Sequence, residues 1–336
     1  MKPAWDGMTR TWLSLTHLCL ATILAVAATA ATAHAQRSYP VRTVRIICDA
    51  APGSTPDVVA RVVAEGLGRT WGRQVVVINH PGGSGVIAAH AAAEAAPDGY
   101  TLYIPALSAF VAQPGVTPGI PLELPRDFAP IGFATDNPMF IAVNPALGVK
   151  TLPELIALAK ERPGKISNAV TGVGRLTHLT GELLQVRAGI KLLMVPYAAG
   201  PAHALADVIG GRVDMIIEGY SGIAAAIRSG SLKAIAVATA QRLPEFGELP
   251  TVAETNPGFT AAGWQILVAP TGTPEAIIRA VSEDLAKVVS DPDVRRRLAQ
   301  LGSYSHPMSP AEVTAFVQEQ QRTWKPALQN IAANAQ

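Results

Sequence analysis

Short apolar runs alternate with helical periodicities from residue 43 onward. Residues 43–47 (Thr-Val-Arg-Ile-Ile) read as a strand. In residues 57–71, Val59, Val62, Val63 and Leu67 recur at the spacing of one helix face. Residues 74–78 predict a second strand and residues 85–96 an Ala-rich helix stopped by the Pro97-Asp98-Gly99 turn. Residues 100–104 predict a third strand. This β-α-β-α-β order predicts a parallel sheet with right-handed crossovers.

A Pro-rich stretch, residues 105–130, then breaks the rhythm. A second αβ set follows: a strand at 140–144, then a helix at 152–161 led by Thr151 with Pro153 and Glu154 in its first turn. Strands at 165–170, 192–196, 213–217 and 234–238 alternate with helices at 177–187 and 201–209. A last strand at 264–269 and helices at 274–290 and 310–331 finish the chain. The pattern predicts two α/β lobes with a ligand cleft between them. Lobe 1 comprises residues 36–138 and 259–336, and lobe 2 residues 139–258. The chain crosses near Asn137-Pro138 and returns near Pro257-Gly258.

Residues 1–35 change the picture at the N-terminus. Lys2 and Arg10 precede an apolar stretch, 13–31, that ends in Ala33-His34-Ala35, the small-x-small signature of signal peptidase. Export with cleavage before Gln36 is expected. The 27 Lys and Arg nearly balance the 25 Asp and Glu, for a net charge of +2. No basic field invites nucleic acid, and no later segment is long and apolar enough to span a membrane. Beyond the leader Cys48 stands alone, so no internal disulfide is available. Its place at the end of an apolar run reads as a buried thiol.

Two strand-to-helix loops carry the candidate chemistry. The first includes Ala51, Pro52, Gly53, Ser54, Thr55 and Asp57. Thr55 is placed to cap the helix, Pro56 to begin it and Asp57 to sit in its first turn. The second includes Thr171, Gly172, Val173, Gly174, Arg175 and His178. A helix start exposes unpaired N–H groups and a positive dipole end, which suit a carboxylate; an ordinary turn is the other reading. Two such loops, one per lobe, would face each other across the cleft. Arg175 offers either a fork to a carboxylate or a solvated loop position. His178 reads first as a structural hydrogen-bonding residue.

A third loop, residues 79–88, contains Gly83-Ser84-Gly85-Val86-Ile87-Ala88, a G-x-G-x-x-A pattern after a strand. The acid that a dinucleotide site needs about twenty residues on is missing, so no cofactor is expected. Ser84 lacks the second glycine of a nucleophile elbow, and the histidines show no metal spacing. A serine hydrolase using Ser84 or Ser108 is the enzymatic alternative. A sensor subunit for a signalling receptor is a third reading.

At these residues the chain resembles the substrate-binding proteins of tripartite tricarboxylate transporters, the Bug family. The resemblance rests on an ordered set of motifs across residues 39–274. Among them are Ala51-Pro52-Gly53, Val75-Val76-Val77-Ile78-Asn79, Pro81-Gly82-Gly83-Ser84-Gly85, and Ala96-Pro97-Asp98-Gly99-Tyr100. Also present are His178-Leu179-Thr180-Gly181-Glu182, Val195-Pro196-Tyr197, Gly211-Arg212-Val213-Asp214 and Pro270-Thr271-Gly272-Thr273-Pro274. It implies a two-lobed periplasmic-binding-protein fold, type II-like, and a periplasmic, monomeric binding protein rather than an enzyme. It also implies a small organic acid ligand and transient docking to membrane transporter subunits. By that resemblance the amides of loops 51–57 and 170–178 grip a carboxylate, with Ser84, Ser108, Tyr197 and Glu218 around it. The chain departs from the family pattern at Asp49-Ala50, at Ser54-Thr55-Pro56, at Arg175 and at Glu218-Gly219. Asp49 and Arg175 are expected to meet across the cleft or to take separate groups of the ligand.

Overall fold

Strand β1 (Val44–Cys48) lies between β2 (Val75–Asn79) and β3 (Thr101–Ile104) and runs parallel to both. Ile46, Ile47 and Cys48 are all buried, the continuous apolar run of a strand covered on both faces. Helices α1 (Thr55–Trp71) and α2 (Val86–Ala93) make the connections, so the first expected β-α-β-α-β unit is present, and the short helix α3 (Ser108–Val111) follows β3. The computed structural model describes residues 39–111, 122–197 and 201–334. The expected leader and its cleavage site lie outside the described residues. Every element named here belongs to the unit of residues 42–336.

The long strand β4 (Phe128–Val143) departs from expectation, which put a strand only at 140–144. Its first part, Phe128 to Pro138, pairs antiparallel with β9 (Ala262–Pro270), which also meets β3. Its last part, Met139 to Val143, pairs with β7 (Met215–Gly219) and β8 (Lys233–Val237). β5 (Ile166–Val170) runs parallel to β6 (Leu192–Pro196) and β7. The main path is β2-β1-β3-β9-β4-β7-β5-β6. The chain thus passes between the two halves in mid-strand, where β4 changes partners between Pro138 and Met139. Pro130 donates no ladder bond, and the register shifts between Pro130 and Gly132 and between Phe133 and Thr135; these bulges let the strand continue past the proline.

The second half carries α4 (Leu152–Glu161), α5 (Leu176–Ala188) and α6 (Pro201–Ile209), close to expectation. Helix α7 (Tyr220–Arg228), directly after β7, was not anticipated. β4 shows the period-2 alternation of a strand between two cores. Met139, Ile141 and Val143 enter one cluster, while Phe140 and Ala142 enter the other. Helices α8 (Glu275–Ser290), α9 (Pro292–Gln300) and α10 (Pro310–Asn334) follow β9, and α9 was not anticipated either. Val313, Val317 and Trp324 of α10 join Phe110, Phe133 and Trp264 in the core of the first half. Trp71 at the end of α1 donates its indole N–H to Asp284 of α8 at 2.9 Å. No helix of the described residues is long and apolar enough to cross a membrane.

Candidate ligand-binding cleft

The C-terminal ends of β1, β3, β5 and β7 open onto one cavity of about 400 Å³. Loops from both halves line it, and Asn137, Gly263, Trp264 and Gln265 of the paired strands β4 and β9 form part of its wall. Of the sequence candidates, Ala51, Ser54, Thr55, Ser108, Thr171, Gly172, Val173, Arg175 and Glu218 line the cavity. Pro52, Gly53, Asp57, Gly174, His178 and Tyr197 are not among its lining residues, and the Ser84 side chain lies outside the described residues.

The first loop differs in detail from expectation. Thr55 opens α1 rather than capping it; the N-cap is Ser54, whose hydroxyl donates to Ala51 O at 2.6 Å instead. Asp57 is committed to holding the loop. Its Oδ2 accepts the Gly53 N–H at 2.9 Å and Arg61 Nε–H at 3.1 Å, and its Oδ1 accepts from Arg61 Nη2 and Asn79 Nδ2, each at 2.8 Å. Burial works against this carboxylate, but Arg61, the Gly53 amide and Asn79 hold it below the ordinary range. The helix start thus already has an anion of its own.

In the second loop Thr171 N–H donates to Thr177 Oγ1 at 3.1 Å and Gly174 N–H to His178 Nδ1 at 3.3 Å. His178 therefore serves the loop, and burial pushes its pKa down against the pull of Glu182. The amides of Gly172 and Val173 have no such partner among the described residues. Gly172 sits at φ +143°, and a Cβ there would stand 2.8 Å from Arg175 Cγ. Its missing side chain lets Arg175 fold back across the loop.

Arg175 Nη2 comes within 3.7 Å of Asp49 Oδ1, across the cleft. The pair is sequestered: the Asp49 side chain is 0% exposed and that of Arg175 19%. Asp49 Oδ2 accepts the Ala106 N–H at 2.9 Å. Burial pushes the Asp49 carboxyl up, with Arg175 and the Ala106 amide opposing. Gly85, at φ +104°, would place a Cβ 2.9 Å from Asp49 Oδ2. The glycines of the third loop thus give that carboxylate room, a use unrelated to dinucleotides.

Glu218, inside β7, is buried. Its Oε1 accepts the Gly219 N–H at 2.9 Å and its Oε2 the Thr171 hydroxyl at 3.4 Å. Burial raises its pKa to about 7, against those two hydrogen bonds and Arg175. Tyr197 turns to Asp207, to which its hydroxyl donates at 2.6 Å. Asn137 and Gln265 escaped sequence reading. Asn137 Nδ2 donates to Gln265 Oε1 at 2.7 Å and Ser303 Oγ to Asn137 Oδ1 at 2.8 Å. The available signal was an amide side chain within each buried apolar strand.

Two α/β halves around a cleft walled by both define a solute-binding protein. The comparisons agree. Residues 59–333 match the tripartite tricarboxylate transporter family receptor, and the chain belongs to that family. It is therefore a substrate-binding receptor for such transporters. It is 34% identical over 298 residues to protein BugT of Bordetella pertussis, covering 88% of this chain and 91% of BugT. Among solved structures it resembles R. palustris Rpa4515 with adipate, with TM-score 0.82 and 29% identity over 87% of this chain and 98% of that one. It also resembles MatC from Rhodopseudomonas palustris with bound malate, with TM-score 0.77 and 29% identity over 86% of this chain and 100% of that one.

Proposed function

We propose that the protein captures a small organic carboxylate in the 400 Å³ cavity and presents it, from the periplasm and as a monomer, to membrane transporter subunits. The carboxylate lies between Arg175 and the amides of Gly172 and Val173. The supporting observation is Arg175, a half-buried guanidinium in the same loop as two amides without partners among the described residues. A fork-shaped donor set of this kind suits a planar carboxylate. The adipate and malate bound by the two structural relatives support the same ligand chemistry. Lobe 1, residues 36–138 and 259–336, and lobe 2, residues 139–258, close over the ligand. The family match and the two structural relatives with adipate and malate support a carrier role over the hydrolase alternative.

The test is to purify the chain natively, denature it and identify the released small molecule by mass spectrometry. A carboxylic acid is expected. Added back at a hundred times its dissociation constant, it should stabilise the fold by about 2.7 kcal/mol. A released ligand without an acid group, restoring the same stability, overturns the reading.

A further inference from the structure

Among the described residues, three charged side chains line the cavity: Asp49, Glu218 and Arg175. One cation therefore stands against two carboxyl groups, an unusual balance for a site meant to hold anions. The corner around Asp49 is short of donors. Asp49 Oδ1 is buried and has no hydrogen-bond partner among the described residues; at 3.7 Å, Arg175 lies beyond hydrogen-bond reach. Ser108 Oγ is likewise buried and unpartnered. Ser108 lies two residues after Ala106, whose N–H holds the other Asp49 oxygen, and all three residues line the same cavity. A buried carboxylate oxygen without a donor is costly, and so is each buried hydroxyl left unpaired.

The missing complement is a group with several N–H donors and positive charge. A second carboxylate fits poorly there. It would set like charges together in a water-poor pocket and leave Asp49 Oδ1 unbonded. An ammonium supplies donors to both orphaned atoms. It also acts on Asp49 in the same sense as Arg175, favouring the ionised form against burial.

We infer that the cleft is built for a zwitterionic amino-carboxylate, its ammonium on Asp49 Oδ1 and Ser108 Oγ and its carboxylate on Arg175 and the Gly172–Val173 amides. The inference rests on the carboxylate reading above and narrows it. A zwitterion adds no net charge to the cavity, whereas a dicarboxylate adds two negative charges.

Titration calorimetry of the ligand-stripped, refolded chain tests this. The panel comprises α- and ω-amino acids, dicarboxylates and monocarboxylates of matched carbon number, aliphatic and aromatic. The expected result is that the best-fitting amino acid binds at least tenfold tighter than its matched dicarboxylate and its matched monocarboxylate. In Asp49→Asn, an isosteric change that keeps an acceptor for the Ala106 N–H, this preference should shrink by at least tenfold. A dicarboxylate that binds as tightly as the amino acid to the wild-type chain overturns the zwitterion and leaves the carboxylate receptor standing. An amino-acid preference undiminished in a folded Asp49→Asn variant overturns the role of Asp49. Failure of every acid in the panel to bind overturns the carboxylate reading itself. The wild-type comparison does not depend on the variant folding.

Discussion

Ser221 donates its hydroxyl hydrogen to Thr55 Oγ1 at 2.8 Å, joining the first turn of α7 to the first turn of α1 across the cleft. Gly219, at φ −62°, sits directly against Thr55. A Cβ at 219 would come within 2.9 Å of both Thr55 Cβ and Cγ2. Alanine suits that backbone, so the obstacle is space alone. Gly219→Ala should push the two helix starts apart and weaken ligand binding by about tenfold, the scale of one lost hydrogen bond. Calorimetry with the native ligand checks this, and circular dichroism should stay unchanged. Affinity within twofold of wild type would mean that the close approach has no part in binding.

Arg175→Ala leaves the Asp49 carboxylate buried without its counter-charge. Ligand affinity should drop at least tenfold. Stability should drop too, and Asp49→Asn should restore part of it. A double-mutant cycle in urea should give a coupling of about 1–3 kcal/mol. Additive effects would show that the two residues do not act as a pair.

Glu218 sets a pH dependence. Its pKa rises from 4.5 to about 7 on folding because the carboxyl is buried. The native state therefore binds more protons than the unfolded chain between those values. Its contribution to stability is present below pH 4.5 and is lost as pH rises through 7. The loss is on the order of 3 kcal/mol. Asp136, raised to about 6 by burial against the pull of His306, adds to the slope at its lower end. Urea unfolding of the ligand-free protein from pH 4.5 to 8 should show the decline, and Glu218→Gln should flatten its upper part. An unchanged slope in that variant would assign the decline elsewhere.

Gly66 on α1 faces Val288 on α8. A Cβ there would overlap Val288 Cγ1 and stand 3.3 Å from Cγ2. Gly66→Ala raises helix propensity yet should destabilise the fold by about 1–3 kcal/mol, because a buried valine has little room to yield. Thermal unfolding decides the sign.

Cys48 is the free thiol of the body, and burial pushes its pKa to about 12, with Asp49 adding to the rise. A thiol-reactive disulfide reagent at pH 8 should leave it unlabelled in the native protein and label it fully in denaturant. Rapid native labelling would show that the strand end opens.

Where backbone periodicity and helix signals agreed, the sequence was a sound guide. Thr151-Leu152-Pro153-Glu154 marked the start of α4, where Thr151 Oγ1 accepts the Glu154 N–H. Parallel β1, β2 and β3 followed from their apolar runs. β4 was hidden because Pro130 and Pro138 resemble strand breakers, and only the partner strand β9 shows that bulges absorb the first. α7 was hidden because it begins at Tyr220, immediately after Gly219, the last residue of β7. In the site, the loops were readable from their glycines, but the occupation of Asp57 by Arg61 and Asn79 was not, since Asn79 arrives from another strand. Asp49 stood out as a departure from family pattern, while the burial that makes it consequential is a property of the folded cleft.

The two halves are joined along β4 and β9, and these strands are bonded to each other as well as to their sheets. Such a link behaves as a torsion bar, not as a pair of slack tethers. Any rotation of one half must twist a ladder of main-chain hydrogen bonds whose stiffness side-chain substitution barely alters. That ladder is interrupted at the two register shifts, near Gly132 and Thr135. The gape of the cleft is thus set by backbone mechanics, and evolution can retune what the protein holds without retuning how far it opens.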